Sequence, residues 1–265
     1  MGQLEGRVAL VTGARAIAAR FAAEGAAVVL SASRLGKHGA LEGSLEDSVE
    51  RILNAGGQAA AEPCDLSDAA ARADLIERAE QHFGALDIIV NNAALSRMRL
   101  PSESSLEERN RMFDVNVNAP IDLAQQALPA MRARGCGWIL NISSSTSHQP
   151  EEPYRDSRMA AHIITAYGAS KAALDRVFIN TLAPTSIVMT AGADYVRDIA
   201  RRNPDMVEPV ESMVEAALAL CSGRHVGQIT LSRQILHATA RGVYSLDGRE
   251  LLGDAFIAAD PEATA

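Results

Sequence analysis

A phenol and an ammonium stand four positions apart in Tyr167-Gly168-Ala169-Ser170-Lys171. On a helix, residues i and i+4 share a face about one turn apart, so the cation can lower the pKa of the neighbouring hydroxyl and make it a proton donor. The spacing alone is weak, because Tyr and Lys are both common on helix surfaces. Two further polar features fall where such a donor would need company. Trp138-Ile-Leu-Asn-Ile142 reads as a buried strand that runs into Ser143-Ser144-Ser145; a serine there can hydrogen-bond a carbonyl, or simply form a turn. Asn116 lies in Phe113-Asp-Val-Asn-Val-Asn118, within a long amphipathic helical stretch. A buried amide at that place either kinks the helix or supports a bound water.

The elements that must position these groups are legible as short apolar runs separated by helical segments. The runs are Val8–Val11, Ala27–Leu30, Leu86–Val90, Trp138–Ile142, Val177–Asn180 and Gln228–Leu231. Runs that are apolar on both faces suit central parallel strands. The expected architecture is therefore α/β, a single doubly wound (Rossmann-type) parallel sheet flanked by helices, forming one domain over residues 1–265. Helices are expected over Ala16–Glu24, Ser44–Ala55, Ala69–Phe83, Leu106–Ala133, Ala161–Arg176 and Val210–Leu220. Ser67 is the expected N-cap of the third, and Gly25, Gly84 and Gly135 stand just past helix ends.

In such a sheet the C-terminal edge of the first strand is where a dinucleotide pyrophosphate meets a helix N-terminus, since free NH groups and the helix dipole favour negative charge. Val11-Thr12-Gly13-Ala14-Arg15 occupies that place, with one glycine that a structural turn explains equally well. The second strand runs into Ser31-Ala32-Ser33-Arg34, with no acid to accept from an adenosine ribose. An acid there favours NAD, whereas an arginine can pair with a 2′-phosphate, so Arg34 with Arg15 favours NADP over NAD; two solvated arginines are the plainer alternative. His38, in the polar insertion Leu35–Gly43, has no ligand partner at metal spacing and reads as a loop residue. Asp65, in Cys64-Asp65-Leu66, and Asn91-Asn92-Ala93-Ala94 fall at the ends of further strands, along the same edge. The stretch Ser147–Ala160, with His148 and the weaker pair Tyr154/Arg158, reads as a loop bordering the site.

Composition narrows the function classes. A net charge of −8 without a dense Lys/Arg run lacks the footprint of nucleic-acid or acidic-membrane binding. Cys64, Cys136 and Cys221 are odd in number and without CxxC spacing, which supports neither a disulfide framework nor a metal site. The chain opens on no charged leader with an apolar run and contains no long apolar stretch, so a cytoplasmic protein without a membrane span is expected.

Taken in order, Thr12-Gly13-Ala14, Asp65, Asn91–Ala94, Asn116, Ile142-Ser143-Ser144, Tyr167–Lys171 and Asn180–Pro184 resemble the short-chain dehydrogenase/reductase family over roughly residues 5 to 235. The pattern is most similar to uncharacterised bacterial members, with some likeness to hydroxysteroid dehydrogenase-like proteins. The resemblance implies an NAD(P)-dependent oxidoreductase interconverting a secondary alcohol and a carbonyl. Tyr167 would be the general acid/base, Lys171 would lower its pKa and hold the nicotinamide ribose, Ser144 would orient the reacting oxygen, and Asn116 would hold a relay water. Gly13, Arg15, Arg34, Asp65, Asn91 and Ala93 would line the adenosine side, with Ile187 and Thr190 near the nicotinamide amide. Ser186–Val207 would form a substrate lid after the sixth strand; its Ile187, Val188, Met189 and Ala191 suit a moderately apolar small-molecule substrate. A homo-oligomer, tetramer or dimer, built through the Leu106–Ala133 and Tyr167 helices is implied by analogy.

Two departures set up a competing expectation. The family pattern TGxxxGxG is about five residues longer than the stretch after Gly13, and both later glycines are absent here. Lys171 to Pro184 is also shorter than the pattern by roughly a dozen residues, and if a strand begins at Val177 only Ala172–Arg176 remain for a return of about 20 Å. Residues are therefore expected to be missing near Ala14/Arg15 and Arg176/Val177; real deletions there would distort the fold and weaken cofactor binding. A family-derived binding or scaffolding protein is accordingly the rival to the enzyme, and structural or redox-sensing use of the cofactor a third reading.

Overall fold

Parallel pairing of short, doubly buried strands organises the chain. The computed structural model describes residues 2–13, 15–36, 44–96, 103–147, 166–175, 180–190, 197–223, 225 and 227–258. Its main sheet has seven strands: β1 (Val8–Thr12), β2 (Ala27–Ser31), β3 (Gln58–Ala61), β4 (Ile88–Asn91), β5 (Trp138–Ile142), β6 (Asn180–Ala183) and, further along the chain, β9 (Ile229–Leu231). They lie in the order β3-β2-β1-β4-β5-β6-β9, every pair parallel. This is the doubly wound α/β sheet expected from the apolar runs.

Side-chain alternation sorts the strands onto two cores. Ala9, Val11, Val28, Leu30, Ile88, Val90, Leu140 and Ile142 pack on one face, against α1 (Arg15–Ala23), α2 (Leu45–Asn54), α9 (Val210–Ser222) and α10 (Ser232–Ala238). Leu10, Val29, Ile89 and Ile139 pack on the other, against α4 (Leu75–Phe83) and α6 (Ala119–Arg134). The short helix α3 (Ala69–Arg72) precedes α4, and α5 (Leu106–Phe113) leads through a π-turn, Asp114–Asn118, into α6. After β5 come the 3₁₀ turn Ser145–Ser147 and α7 (Ala166–Leu174). The segment after β6 holds β7 (Ile187–Val188), α8 (Arg197–Arg202) and β8 (Val207–Glu208), with β7 and β8 parallel. A hairpin, β10 (Val243–Tyr244) and β11 (Leu251–Gly253), follows α10.

Local chemistry explains the boundaries and several departures. Ser44 caps α2, accepting from the Asp47 amide at 3.0 Å while the Asp47 carboxylate accepts from the Ser44 amide at 2.7 Å. Gly135 closes α6 in the left-handed conformation, at φ 65°. The expected helix Ala69–Phe83 is two helices, and its N-cap is Asp68, which accepts from the Ala70 amide, because the Ser67 hydroxyl is engaged by Asp65. The alanine-rich strand β3 escapes a hydrophobic reading, since alanines mark a helix as readily as an edge strand. The described sixth strand begins at Asn180, and positions 176–179, where the expected start at Val177 falls, lie outside the described residues. In that register Asn180 is buried, and its side-chain amide donates to the carbonyls of Leu220 and His225. Ala14, His38, His148, Tyr154, Arg158, 161–165, 176–179 and 191–196, and with them both junctions Ala14/Arg15 and Arg176/Val177, lie outside the described residues.

A buried ionic cluster ties the first helix to the last hairpin. Arg20 of α1 is 2 % exposed, pairs with Glu24 at 2.9 Å and with the fully buried Glu215 of α9, and donates to the Ser245 carbonyl. Arg241 completes it, its Nε 2.9 Å from Glu215. Removing one partner of such a set leaves a buried charge uncompensated, so Glu215→Ala should cost about 3 kcal/mol or more in chemical denaturation. A loss near zero would contradict this account.

Candidate active site

The last rung of the sheet is polar. Thr12 stands in register with Ser31 on one side and Asn91 on the other, Asn91 with Asn141, and Asn141 with Thr181. All five side chains are buried, and Thr12, Ser31, Asn91 and Asn141 follow the alternation onto the α6 side, two positions beyond the apolar layer of Leu10, Val29, Ile89 and Ile139. Thr12 Oγ1 donates to the Val90 carbonyl and accepts the amides of Asn92 and Ala93, each at 3.1 Å, which folds the chain after β4 back over β1. Asn91 Nδ2 donates to Asn141 Oδ1 at 2.9 Å. Gly13 holds φ +67° in contact with Ala93: a Cβ on Gly13 would lie 3.2 Å from the Ala93 Cβ. Gly13, Asn91 and Ala93 thus form one corner.

Asn116 stands in the π-turn, which widens the helix where its amide must leave the helical ladder. Its Oδ1 accepts from the Leu95 amide at 2.8 Å, and its Nδ2 donates to the Leu95 carbonyl and to Ser170 Oγ, both at 2.9 Å. Ser170 Oγ in turn donates to the Tyr167 carbonyl at 2.7 Å. One side chain therefore fastens the loop after β4 to the helix that bears Tyr167.

Lys171, 2 % exposed, donates its ammonium to the Ile142 carbonyl at 2.6 Å and lies 5.9 Å from the centre of the Tyr167 ring. Burial pushes its pKa from 10.5 down to about 8, against the opposing pull of the Asp175 carboxylate. Ile142 immediately precedes Ser143, whose buried hydroxyl finds no hydrogen-bond partner among the described residues, and Ser144. The Ser144 hydroxyl accepts from the Thr146 hydroxyl at 2.9 Å and amide at 3.3 Å, so it holds the 3₁₀ turn on which α7 packs. Asn116, Ser144, Tyr167 and Lys171 accordingly belong to three elements joined around α7.

The other anticipated positions are more scattered. Arg15, at the start of α1, and Arg34, after β2, are exposed near the C-terminal ends of their neighbouring strands. Asp65 is half exposed, holds the amide and hydroxyl of Ser67, and faces Arg111 at 3.7 Å. Ile187 packs against a small cluster of Met189, Ala200 and Val207, and Thr190 follows it, half-buried. Sequence reasoning passed over Thr12, Asn141, Ser143 and Ser170. The signal available for each was adjacency, Thr12 to Gly13, Ser143 to Ser144 and Ser170 to Lys171, while Asn141 shows only as a polar residue in an apolar strand.

The fold is thus of the doubly wound α/β class, with polar residues at the C-terminal edge of its sheet and a half-buried Tyr167 beside the buried Lys171. The short chain dehydrogenase family model matches residues 7–198, and the chain belongs to that family. An uncharacterised oxidoreductase of Methylorubrum extorquens is 35% identical over 196 residues, 71% of this chain and 76% of that protein. Hydroxysteroid dehydrogenase-like protein 2 of Xenopus tropicalis is 28% identical over 290 aligned positions, which take in all of this chain but only 66% of the relative. That alignment is longer than the chain's 265 residues, so the relative has residues without counterparts here. Among solved structures, the 3-oxoacyl (acyl-carrier-protein) reductase of Agrobacterium tumefaciens C58, with NADP bound, matches at TM-score 0.68 and 32% identity over 86% of this chain and 93% of that one. A metagenomic short-chain oxidoreductase in complex with NADP matches at TM-score 0.65 and 27% identity, over 87% and 97%. Among the described residues no helix is long and apolar enough to cross a membrane.

The lysine yields a prediction whose sign follows from proton linkage. The folded protein releases the Lys171 proton at lower pH than the unfolded chain, so the buried charge costs stability at neutral pH, and that cost fades between about 8 and 10.5. Relative to Lys171→Met, the wild type should gain unfolding free energy across this window, measured by urea titration at successive pH values. Parallel pH curves would contradict it.

Proposed function

We propose that the chain is an NADP(H)-preferring oxidoreductase that interconverts a secondary alcohol and a carbonyl, with Tyr167 as general acid/base. The observation that carries the reading is Lys171, buried against the Ile142 carbonyl and beneath the Tyr167 ring. A buried ammonium is costly unless it is used, and here it lies where it favours the ionised phenol. Tyr167 would pass its proton to a carbonyl oxygen in reduction and take it back in oxidation, with the Ser144 hydroxyl orienting that oxygen. Asn116 would hold the Tyr167 helix in register through Ser170, and Asn91 and Ala93 would shape the edge on the adenosine side.

The residues present fit a nicotinamide dinucleotide in its adenosine half. Gly13 at positive φ leaves the end of β1 without a side chain, α1 begins two positions later, and the buried Ser31 hydroxyl at the end of β2 has no partner among the described residues. Arg15 and Arg34 are free of burial on that side and suit a 2′-phosphate, and Asp65 would meet the adenine edge. Ile187 and Thr190 would stand on the nicotinamide side. When bound, the cofactor supplies the hydride. A one-domain, cytoplasmic homo-oligomer, dimer or tetramer, acting on a moderately apolar small molecule completes the reading.

Fluorescence titration with NADPH and NADH tests it. NADPH is expected to bind the more tightly, and Arg34→Ser should narrow the preference by about tenfold. Tyr167→Phe should lower kcat with a carbonyl panel by roughly 10²-fold or more while NADPH binding persists. No binding of either dinucleotide at millimolar concentration would favour the rival, a family-derived binding module, for which the single glycine of the first turn speaks.

A further inference from the structure

Beyond the edge occupied by Tyr167 and Lys171, one buried acid stands at the base of the segment that follows β6. Glu208, on β8, has a side chain with no exposed surface. Its Oε1 accepts the Thr185 amide at 3.0 Å, and the Ser232 hydroxyl lies 2.7 and 2.8 Å from its two oxygens. The Ser186 amide adds a further hydrogen bond, and Arg233 Nε stands 3.6 Å from Oε2. Thr185 is held from its other side as well: its hydroxyl meets Ser232 Oγ at 3.0 Å and accepts the Arg233 amide at 3.1 Å. Three elements converge here, the end of β6 through Thr185, β8 through Glu208, and the start of α10 through Ser232 and Arg233.

Burial holds the Glu208 carboxyl above its ordinary pKa, against the lowering contributed by Ser232, Arg233 and the two backbone amides. Placing an acid in this position is costly, and an apolar residue would pack the site more cheaply. What a carboxylate adds is direction. Two successive peptide amides, at 185 and 186, aim at one group, which fixes the peptide planes just before Ile187 and Thr190. The same carboxylate sits on the strand that pairs with Ile187–Val188, so it fastens both ends of a loop 23 residues apart.

We infer that Glu208, with Ser232, is a positioning residue: it clamps the base of the lid and so sets the placement of the Ile187–Thr190 segment against the nicotinamide side of the cofactor. The inference rests on the reading above, and the test separates the two. In Glu208→Gln one acceptor oxygen becomes an NH2 donor, which leaves a single oxygen for the Thr185 and Ser186 amides and the Ser232 hydroxyl and removes the charge facing Arg233, so trypsin should cut at Arg197, Arg201 and Arg202 about tenfold faster than wild type, relative to cuts elsewhere in the chain. KM for NADPH should rise by about tenfold with a smaller change in kcat. Ser232→Ala, a milder change suited to the case where Glu208→Gln fails to fold, should move both readouts in the same direction. The double variant should fall short of the sum of the two singles. Folded variants with wild-type lid cleavage and wild-type KM would overturn the clamp, as would equal acceleration of cleavage throughout the chain, which is general destabilisation. Wild type that neither binds NADPH nor turns over would remove the catalytic half of the inference, and lid cleavage alone would then decide the clamp.

Discussion

The hydrogen bond from Lys171 to the Ile142 carbonyl is the constraint on which the site depends. It joins the helix carrying Tyr167 to the end of β5 at the point where that strand gives way to Ser143 and Ser144. A lysine taken fully out of water loses most of its hydration, and a single carbonyl with a distant carboxylate returns only part of it. The group therefore sits within reach of deprotonation near neutral pH, which a surface lysine never does. Asn116 performs the neutral half of the same task, holding α7 through Ser170 without bringing in a charge.

The polar rung extends this logic across the sheet. On β1, β2, β4 and β5 the side chains one residue earlier are aliphatic and belong to the opposite core; two earlier they are aliphatic on the same face. Changing only the final layer to Ser31, Thr12, Asn91, Asn141 and Thr181 leaves the hydrophobic sandwich intact and turns its rim into a hydrogen-bonding surface. Open α/β sheets bind ligands at that rim because strand ends there leave side chains and amides without neighbours in the ladder.

How much of this could be read in advance differed by element. Strands such as Val8–Thr12 and Trp138–Ile142 are apolar on both faces and were legible because burial on both sides leaves no room for another pattern. β3 was not, since Gln58 and three alanines carry no periodicity, and the described part of β6 begins at the buried polar Asn180 and Thr181, whereas the hydrophobic run Val177-Phe-Ile that marked it in the sequence lies outside the described residues. Asn180 tolerates that position only because the carbonyls of Leu220, in the last turn of α9, and His225, in the connection to β9, meet its amide, a tertiary fact with no local trace. At the candidate site, the order of Asn116, Ser144, Tyr167 and Lys171 along the chain pointed to the helix Ala166–Leu174, around which the structure joins them. The partners that hold it, Ile142 through its carbonyl and, by way of Asn116, Leu95 through its backbone, were hidden, because backbone groups look alike in every sequence.

The ion cluster around Arg20 has a consequence in time. Its partners in α9 and at the start of the hairpin turn lie far along the chain, the Ser245 carbonyl 225 residues after it. At the usual pace of translation that separation takes roughly ten to forty-five seconds to synthesise. Throughout that interval the nascent first helix carries a cation on the face destined for the core, with Glu24 as its near partner. The β1–α1–β2 unit thus emerges early yet cannot complete the set of groups around its buried arginine until α9 and the start of the hairpin turn have been made.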